Sequence, residues 1–197
     1  MIEWYSDDTL KEKVQSGELS WSDRIPVGAN QDLRPLVNVA ARHGFLRTLD
    51  ELSKTSKDLN QFFPLFIAVK NKQLFAADIL IQNGADINLP VYYNGSAYTN
   101  MLFFFSGSHS EVLGMSDDEL VRTIVYLLSN GADWRAKDSY GIPWTKFFFM
   151  QNGGTLYRRV FGKALSDEEE EAFVLNLGNE KLQKSFKDDL GYSHSLV

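Results

Sequence analysis

One phrase occurs twice in this chain: Gln82-Asn83-Gly84-Ala85-Asp86-Ile87-Asn88 and, downstream, Ser129-Asn130-Gly131-Ala132-Asp133-Trp134-Arg135. Each copy follows an apolar stretch of helical spacing, and a Gly just past such a stretch ends a helix in a turn that other residues resist. Helix, glycine stop and polar turn in recurrence are the mark of stacked units, each burying its apolar face against its neighbours. Such stacks usually bind proteins rather than perform chemistry.

Composition agrees with a folded chain. Its 197 residues are 44% hydrophobic, enough for a continuous core. The 20 basic against 26 acidic residues give a net charge of -6, the wrong sign for broad phosphate binding, so nucleic acid is not an expected partner. With no cysteine, disulfides, thiolate zinc sites and thiol nucleophiles are excluded. The start, Met1-Ile2-Glu3-Trp4-Tyr5-Ser6-Asp7-Asp8, has neither a basic region nor an apolar run and reads as mature sequence. No stretch approaches the roughly 20 apolar residues that span a bilayer. No membrane partner and a cytoplasmic location are therefore expected.

The central unit runs Phe63-Pro64-Leu65-Phe66-Ile67-Ala68-Val69-Lys70-Asn71-Lys72, then Leu74 to Asn88. Pro-Leu, the small Ala68, and Gly-Ala-Asp followed by an apolar residue and Asn resemble the ankyrin repeat at that family's spacing. Physically, Pro64 suits a first helical turn because its missing N–H would be unpaired there. Ala68, Ala76 and Ala77 let paired helices approach. Upstream, Val39-Ala40-Ala41-Arg42-His43-Gly44-Phe45-Leu46 opens a weaker unit with Leu46, Leu49 and Leu52 on its second helix. There Ser56 stands at the Gly84 position, 84 − 56 = 28 residues away, short of the family period of about 33. The connection near Gln61-Phe62 must be clipped to a short hairpin or none. Leu10, Val14 and Gly17-Glu18-Leu19 look like a degenerate first unit, with Trp21 and Ile25 covering the end of the stack.

Downstream, Gly84 to Gly131 spans 131 − 84 = 47 residues, exceeding the period by about 14. A longer hairpin, Leu89 to Tyr98, and an insertion, Gly107 to Met115, absorb the excess. Ser116 with Glu119 forms a capping box, and Leu120, Val121, Ile124, Val125, Leu127 and Leu128 follow on one broad helical face. Asp138-Ser139-Tyr140-Gly141-Ile142-Pro143-Trp144 is a variant of the family's turn and helix start. After Gly154 the pattern fades, and Ser166 with Glu169 marks another helix start.

The expected fold is therefore all-α: an ankyrin-repeat-like helical solenoid with short β-hairpin or loop connections and helical caps. A repeat stack occupies 1–154, with a degenerate N-terminal cap at 1–33 and repeats at about 34–60, 61–88, 89–135 and 136–154; 155–197 forms a helical C-terminal cap and tail. The resemblance covers about residues 8–153 and is strong in 63–88 and 120–144.

Phe66 takes the place of the family's histidine after Pro-Leu, with Phe103 and Phe147 at matching positions. A ladder of rings inside the stack is one reading; a ring-lined ligand pocket is the other. Tyr92, Tyr93 and Tyr98 on one hairpin loop, and Trp134, Arg135 and Tyr140 on the next, are residue types that anchor protein interfaces. The resemblance implies binding there and on the concave inner-helix face, where Arg42 and His43, Lys70 and Asn71, and Gln151 and Asn152 match the family's variable pair. Against this, the longer loop could fold back over its tyrosines, and the concave residues could be merely solvated. The runs Asp117-Asp118-Glu119 and Asp167 to Glu171 suit first helical turns, which is the simpler account; a docking patch for a basic protein is the other, and the two do not exclude each other.

Chemistry is thinly represented. His43, His109 and His194 stand in different segments and in no metal-ligand spacing, and Asn94-Gly95-Ser96 and Asn152-Gly153-Gly154 lack the Lys of a phosphate loop. His109, between Ser108 and Ser110, is the one place for nucleophile and base chemistry. No catalytic, cofactor or metal site is expected. What remains is a non-catalytic module, monomeric on its own, that binds a protein and neutralises it as an inhibitor or immunity-type protein. The alternative is an adaptor or secreted effector that docks onto a host protein.

Overall fold

The computed structural model describes residues 5–28, 30–107, 113–162 and 166. The described chain is mostly helical with two small antiparallel sheets, and it divides into two compact units, Met1–Asp86 and Ile87–Val197.

The first unit begins with α1 (Asp7–Gln15), where the Ser6 hydroxyl accepts the Thr9 N–H at 3.1 Å and Asp7 and Asp8 suit the positive helix end. Leu10 and Val14 are buried as their spacing predicts. The 1–33 cap is not wholly helical: β1 (Arg24–Val27) pairs with β2 (Asp32–Pro35), Ile25 lying opposite Arg34. The signal is faint because each four-residue strand buries a single residue, Ile25 in one and Pro35 in the other. Trp21 and Ile25 are buried, as expected.

Two helix pairs follow, α2 (Leu36–His43) with α3 (Leu46–Thr55), and α4 (Pro64–Lys70) with α5 (Leu74–Gln82). Helix α2 packs on α4, while α1 packs on α3 and α3 on α5, giving two layers. Ala40, Ala41, Ala68, Ala76 and Ala77 are fully buried, so small side chains occupy these close approaches. The pairs are built alike: the Phe45 N–H donates to the Ala40 carbonyl at 3.0 Å, and 28 residues on Gln73 donates to Ala68 at 2.9 Å. The connection between them is clipped as expected, with no strand. Instead Phe62 and Phe63 turn the chain at φ of 70° and 56°, and Pro64 starts α4.

The second unit opens with β3 (Val91–Tyr93) and β4 (Ser96–Tyr98), joined through Asn94-Gly95 at φ of 49° and 80°. Left-handed Asn-Gly is the pair that a two-residue hairpin turn demands. Then come α6 (Met101–Gly107), α7 (Asp117–Ser129), α8 (Trp144–Met150), a 3₁₀ turn (Gln151–Gly154) and α9 (Thr155–Phe161). The capping box is present: Ser116 Oγ accepts the Glu119 N–H at 3.2 Å and Glu119 Oε2 accepts the Ser116 N–H at 2.8 Å. The apolar set of α7 is broader than one face. Residues Thr123 to Leu128 are all buried, because α6 and α9 both pack on this helix. Phe103 and Phe147 meet at 5.2 Å, as a ring ladder requires, while Phe66 of the first unit is half-buried. Buried Trp144 stacks on Phe148 at 5.2 Å and donates its indole N–H to Ser106 Oγ at 2.9 Å.

The duplicated phrase is duplicated in geometry. Gly84 and Gly131 stand at φ of 101° and 87° and donate to Ile81 and Leu128 carbonyls; Ala85 and Ala132 donate to Leu80 and Leu127. Asn83 and Asn130 each turn a carboxamide back onto a helix carbonyl, of Ile79 and Tyr126, at 2.8 Å. Each turn is also held by an asparagine from the turn before it. Asn60 Oδ1 accepts the Asp86 N–H at 2.8 Å in the first unit, and Asn88 Oδ1 accepts the Asp133 N–H at 2.6 Å in the second. Asn60 lies 88 − 60 = 28 residues before Asn88.

Candidate functional site

Two loops of the second unit are fastened together at their bases. Just past β4, the Thr99 hydroxyl donates to the Lys137 carbonyl at 3.1 Å and Asn100 Nδ2 donates to the Asp133 carbonyl at 3.0 Å. Asn100 is buried, and its Oδ1 also accepts the Phe103 N–H at 3.3 Å, so one side chain starts α6 and ties in the neighbouring loop. Sequence reasoning missed this residue. Its signal was an Asn directly before the apolar run Met101 to Phe105.

The second loop is internally braced. Asp138 Oδ1 accepts the N–H groups of Tyr140 at 2.9 Å and Ile142 at 2.8 Å, and Gly141 donates to the Asp138 carbonyl at 3.0 Å. Lys137 bridges Pro143 across the turn, and Trp144 donates to Ala136 at 3.0 Å. The result is an ordered tip that holds Tyr140 at 87% exposure. On the first loop Tyr92 stands at 69%. Tyrosines so placed keep most of their surface in water, and they are rigid amphipathic side chains with few torsions to lose on binding.

Tyr93 and Tyr98 are placed differently from the expectation of projecting rings. Both are half-buried and meet buried Phe104 edge-on at 5.2 Å, so their half of the loop does fold back. The cause is the pleat. Tyr93 and Tyr98 face α6 from opposite strands, and the alternation turns Tyr92 outward between Val91 and Tyr93. Trp134 is half-buried rather than a free tip, with the Arg135 guanidinium 4.4 Å over its ring. The Arg135 backbone N–H donates to Asp133 Oδ1 at 3.0 Å, which fixes the turn.

In the first unit, Arg42 and His43 close α2, and Lys70 and Asn71 close α4, helices that pack side by side. Arg42 and His43 are exposed and Lys70 is half-buried. Although its residue is largely exposed, the His43 ring lies over Phe45 at 5.7 Å; the local desolvation of the ring, with the Arg42 charge second, lowers its pKa from the ordinary 6.5. Asn71 is committed to structure: its Nδ2 donates to the Ile67 carbonyl at 2.8 Å. The Gln151 backbone is in the 3₁₀ turn, and the side chain of Asn152 lies outside the described residues.

The acidic run at the start of α7 is engaged within the unit, since Arg159 of α9 pairs with Asp118 and lies 3.8 Å from Asp117. The run at 167–171, with His109 and His194, lies outside the described residues. Among the described residues no three His, Cys, Asp or Glu side chains converge as metal ligands, and no helix is long and apolar enough to cross a membrane. No protein-family model matches the chain, and no curated protein matches it significantly.

Proposed function

We propose that this chain is an ankyrin-like repeat protein acting as a non-catalytic protein-binding module, with the paired loops of the second unit as its main binding face. The repeat reading is supported by the doubled turn geometry and by the Asn60–Asp86 and Asn88–Asp133 bonds, because a structural unit that recurs should be tied to its predecessor in the same way each time. The binding reading is carried by one observation: two tyrosines, Tyr92 and Tyr140, stand exposed on loops that share a hydrogen-bonded base. An ordered loop loses little conformational entropy on association, so the aromatic area it buries is converted efficiently into affinity. Occupancy is the mechanism, and an enzyme whose surface is covered in this way would be neutralised.

The test is affinity capture from the native lysate with the wild-type chain and the Tyr92→Ala/Tyr140→Ala double variant in parallel, read by mass spectrometry. One stoichiometric partner lost with an equally stable double variant is the expected result. A partner retained undiminished by the double variant overturns the assignment of this face.

A further inference from the structure

We propose that Asn94 is a site of spontaneous deamidation, a covalent modification that converts the tip of the β3–β4 hairpin from a carboxamide to a carboxylate. The chain carries four Asn-Gly pairs, the sequence in which the following backbone nitrogen is least shielded because glycine has no side chain. Fold geometry separates the three whose side chains are described.

At Asn83 and Asn130 both reacting groups are occupied. Each carboxamide donates to a carbonyl one helical turn back at 2.8 Å, while the nitrogens that would attack, those of Gly84 and Gly131, donate to Ile81 at 2.9 Å and Leu128 at 3.2 Å. An N–H held in a hydrogen bond gives up its proton reluctantly, and the carboxamide is pinned over the helix. Reaction there requires the helix end to unwind. At Asn94 neither restraint exists among the described residues: the side chain is exposed and neither it nor the Gly95 N–H has a hydrogen bond. The hairpin is held by three residue pairs, Val91 with Tyr98, Tyr92 with Ala97, and Tyr93 with Ser96, so the opening that lets Gly95 nitrogen reach Asn94 Cγ involves few contacts.

The chemistry needs only water and mild base. Gly95 nitrogen loses its proton to solvent and attacks Asn94 Cγ. The new N–Cγ bond closes a five-membered succinimide as the Cγ–Nδ2 bond breaks, and Nδ2 leaves as ammonia after taking a proton from water. Water then opens the ring at either carbonyl, giving aspartate or isoaspartate. The net change is one carboxamide and one water converted to one carboxylate and ammonium, with no oxidant or reductant. Isoaspartate adds a methylene to a two-residue turn that cannot absorb it, so the Tyr93–Ser96 pair is broken and Tyr92 is presented differently. The inference rests on hairpin geometry and stands whether or not Tyr92 contacts a partner.

The test is to hold the intact folded protein at neutral and at mildly alkaline pH and map peptides over time for a gain of one mass unit. Chain held in denaturant gives the reference rate at each site. Asn94 is expected to convert roughly tenfold or more faster than Asn83 and Asn130 in the folded protein, with all three similar in the denatured one. Conversion faster at alkaline pH, and a product containing isoaspartate, identify the succinimide route. Equal rates at the three sites in the folded protein, or an unchanged Asn94 while the denatured chain converts, overturn the proposal.

Discussion

Asp7 Oδ1 accepts both the backbone N–H of Thr48, at 2.8 Å, and the Thr48 hydroxyl, at 2.7 Å. Its other oxygen accepts the Arg47 N–H at 3.0 Å, and Asp8 pairs with the Arg47 guanidinium. Helix α3 has no side-chain cap of its own, since Phe45 stands at its N-cap. The carboxylate of α1 therefore caps α3 from outside and fixes how the first helix docks. Asp7→Ala would leave the Arg47 and Thr48 backbone N–H groups without their acceptor and the buried Thr48 hydroxyl with only the carbonyl of residue 7. Destabilisation of about 1–3 kcal/mol is expected in urea melts. A loss under about 0.5 kcal/mol would place the docking of α1 in its apolar side chains alone.

The three tyrosines of the first hairpin should divide by pleat. Tyr93→Ala removes an edge contact to Phe104 and should lower the melting temperature measurably, at about 1–3 kcal/mol. Tyr92→Ala and Tyr140→Ala should each stay within about 0.5 kcal/mol of wild type, because neither ring is packed. Thermal melts of the three single variants decide it, and a Tyr92 variant as unstable as the Tyr93 one would contradict the register of β3.

His43 gives a pH signature. Its folded-state pKa is lowered, so the unfolded chain takes up the proton more readily, and stability is lost as pH falls from the ordinary 6.5 towards the lowered value. The melting temperature of wild type should fall more steeply than that of His43→Gln across that window. Parallel curves would mean that His43 binds its proton alike in the folded and unfolded chain.

Lys72 stands at φ of 63°, and Gly44, 72 − 44 = 28 residues earlier at the matching place between paired helices, stands at 68°. A lysine pays for the left-handed conformation that glycine adopts freely. Lys72→Gly should stabilise the protein by about 0.5–1 kcal/mol in denaturant melts. Destabilisation would show that the lysine side chain contributes more than the strain costs.

Much of the fold was legible in the sequence because its signals are local. Gly84 and Gly131 announced helix ends that only a left-handed residue could make, Ser116 and Glu119 announced a helix start, and Pro64 sat at a first turn as its missing N–H requires. The clipped link before Pro64 followed from counting. The hairpin at 24–35 did not, because four-residue strands that each bury one residue barely alternate. Nor did the bracing of α3 by Asp7, which joins residues 41 positions apart.

The candidate site was only half legible. Sequence singled out the two loops, since tyrosines in a polar hairpin stand out from their surroundings. It could not say which rings project, because that depends on which side of the pleat meets Phe104 and on whether Arg135 covers Trp134. Helix ends, caps and turn residues are written in the sequence because backbone hydrogen bonding within a few residues decides them. The exposure of Tyr92 and Tyr140, the half-burial of Tyr93 and Tyr98, and the joining of two loops through Thr99 and Asn100 were decided only in the tertiary structure, because each depends on partners far along the chain.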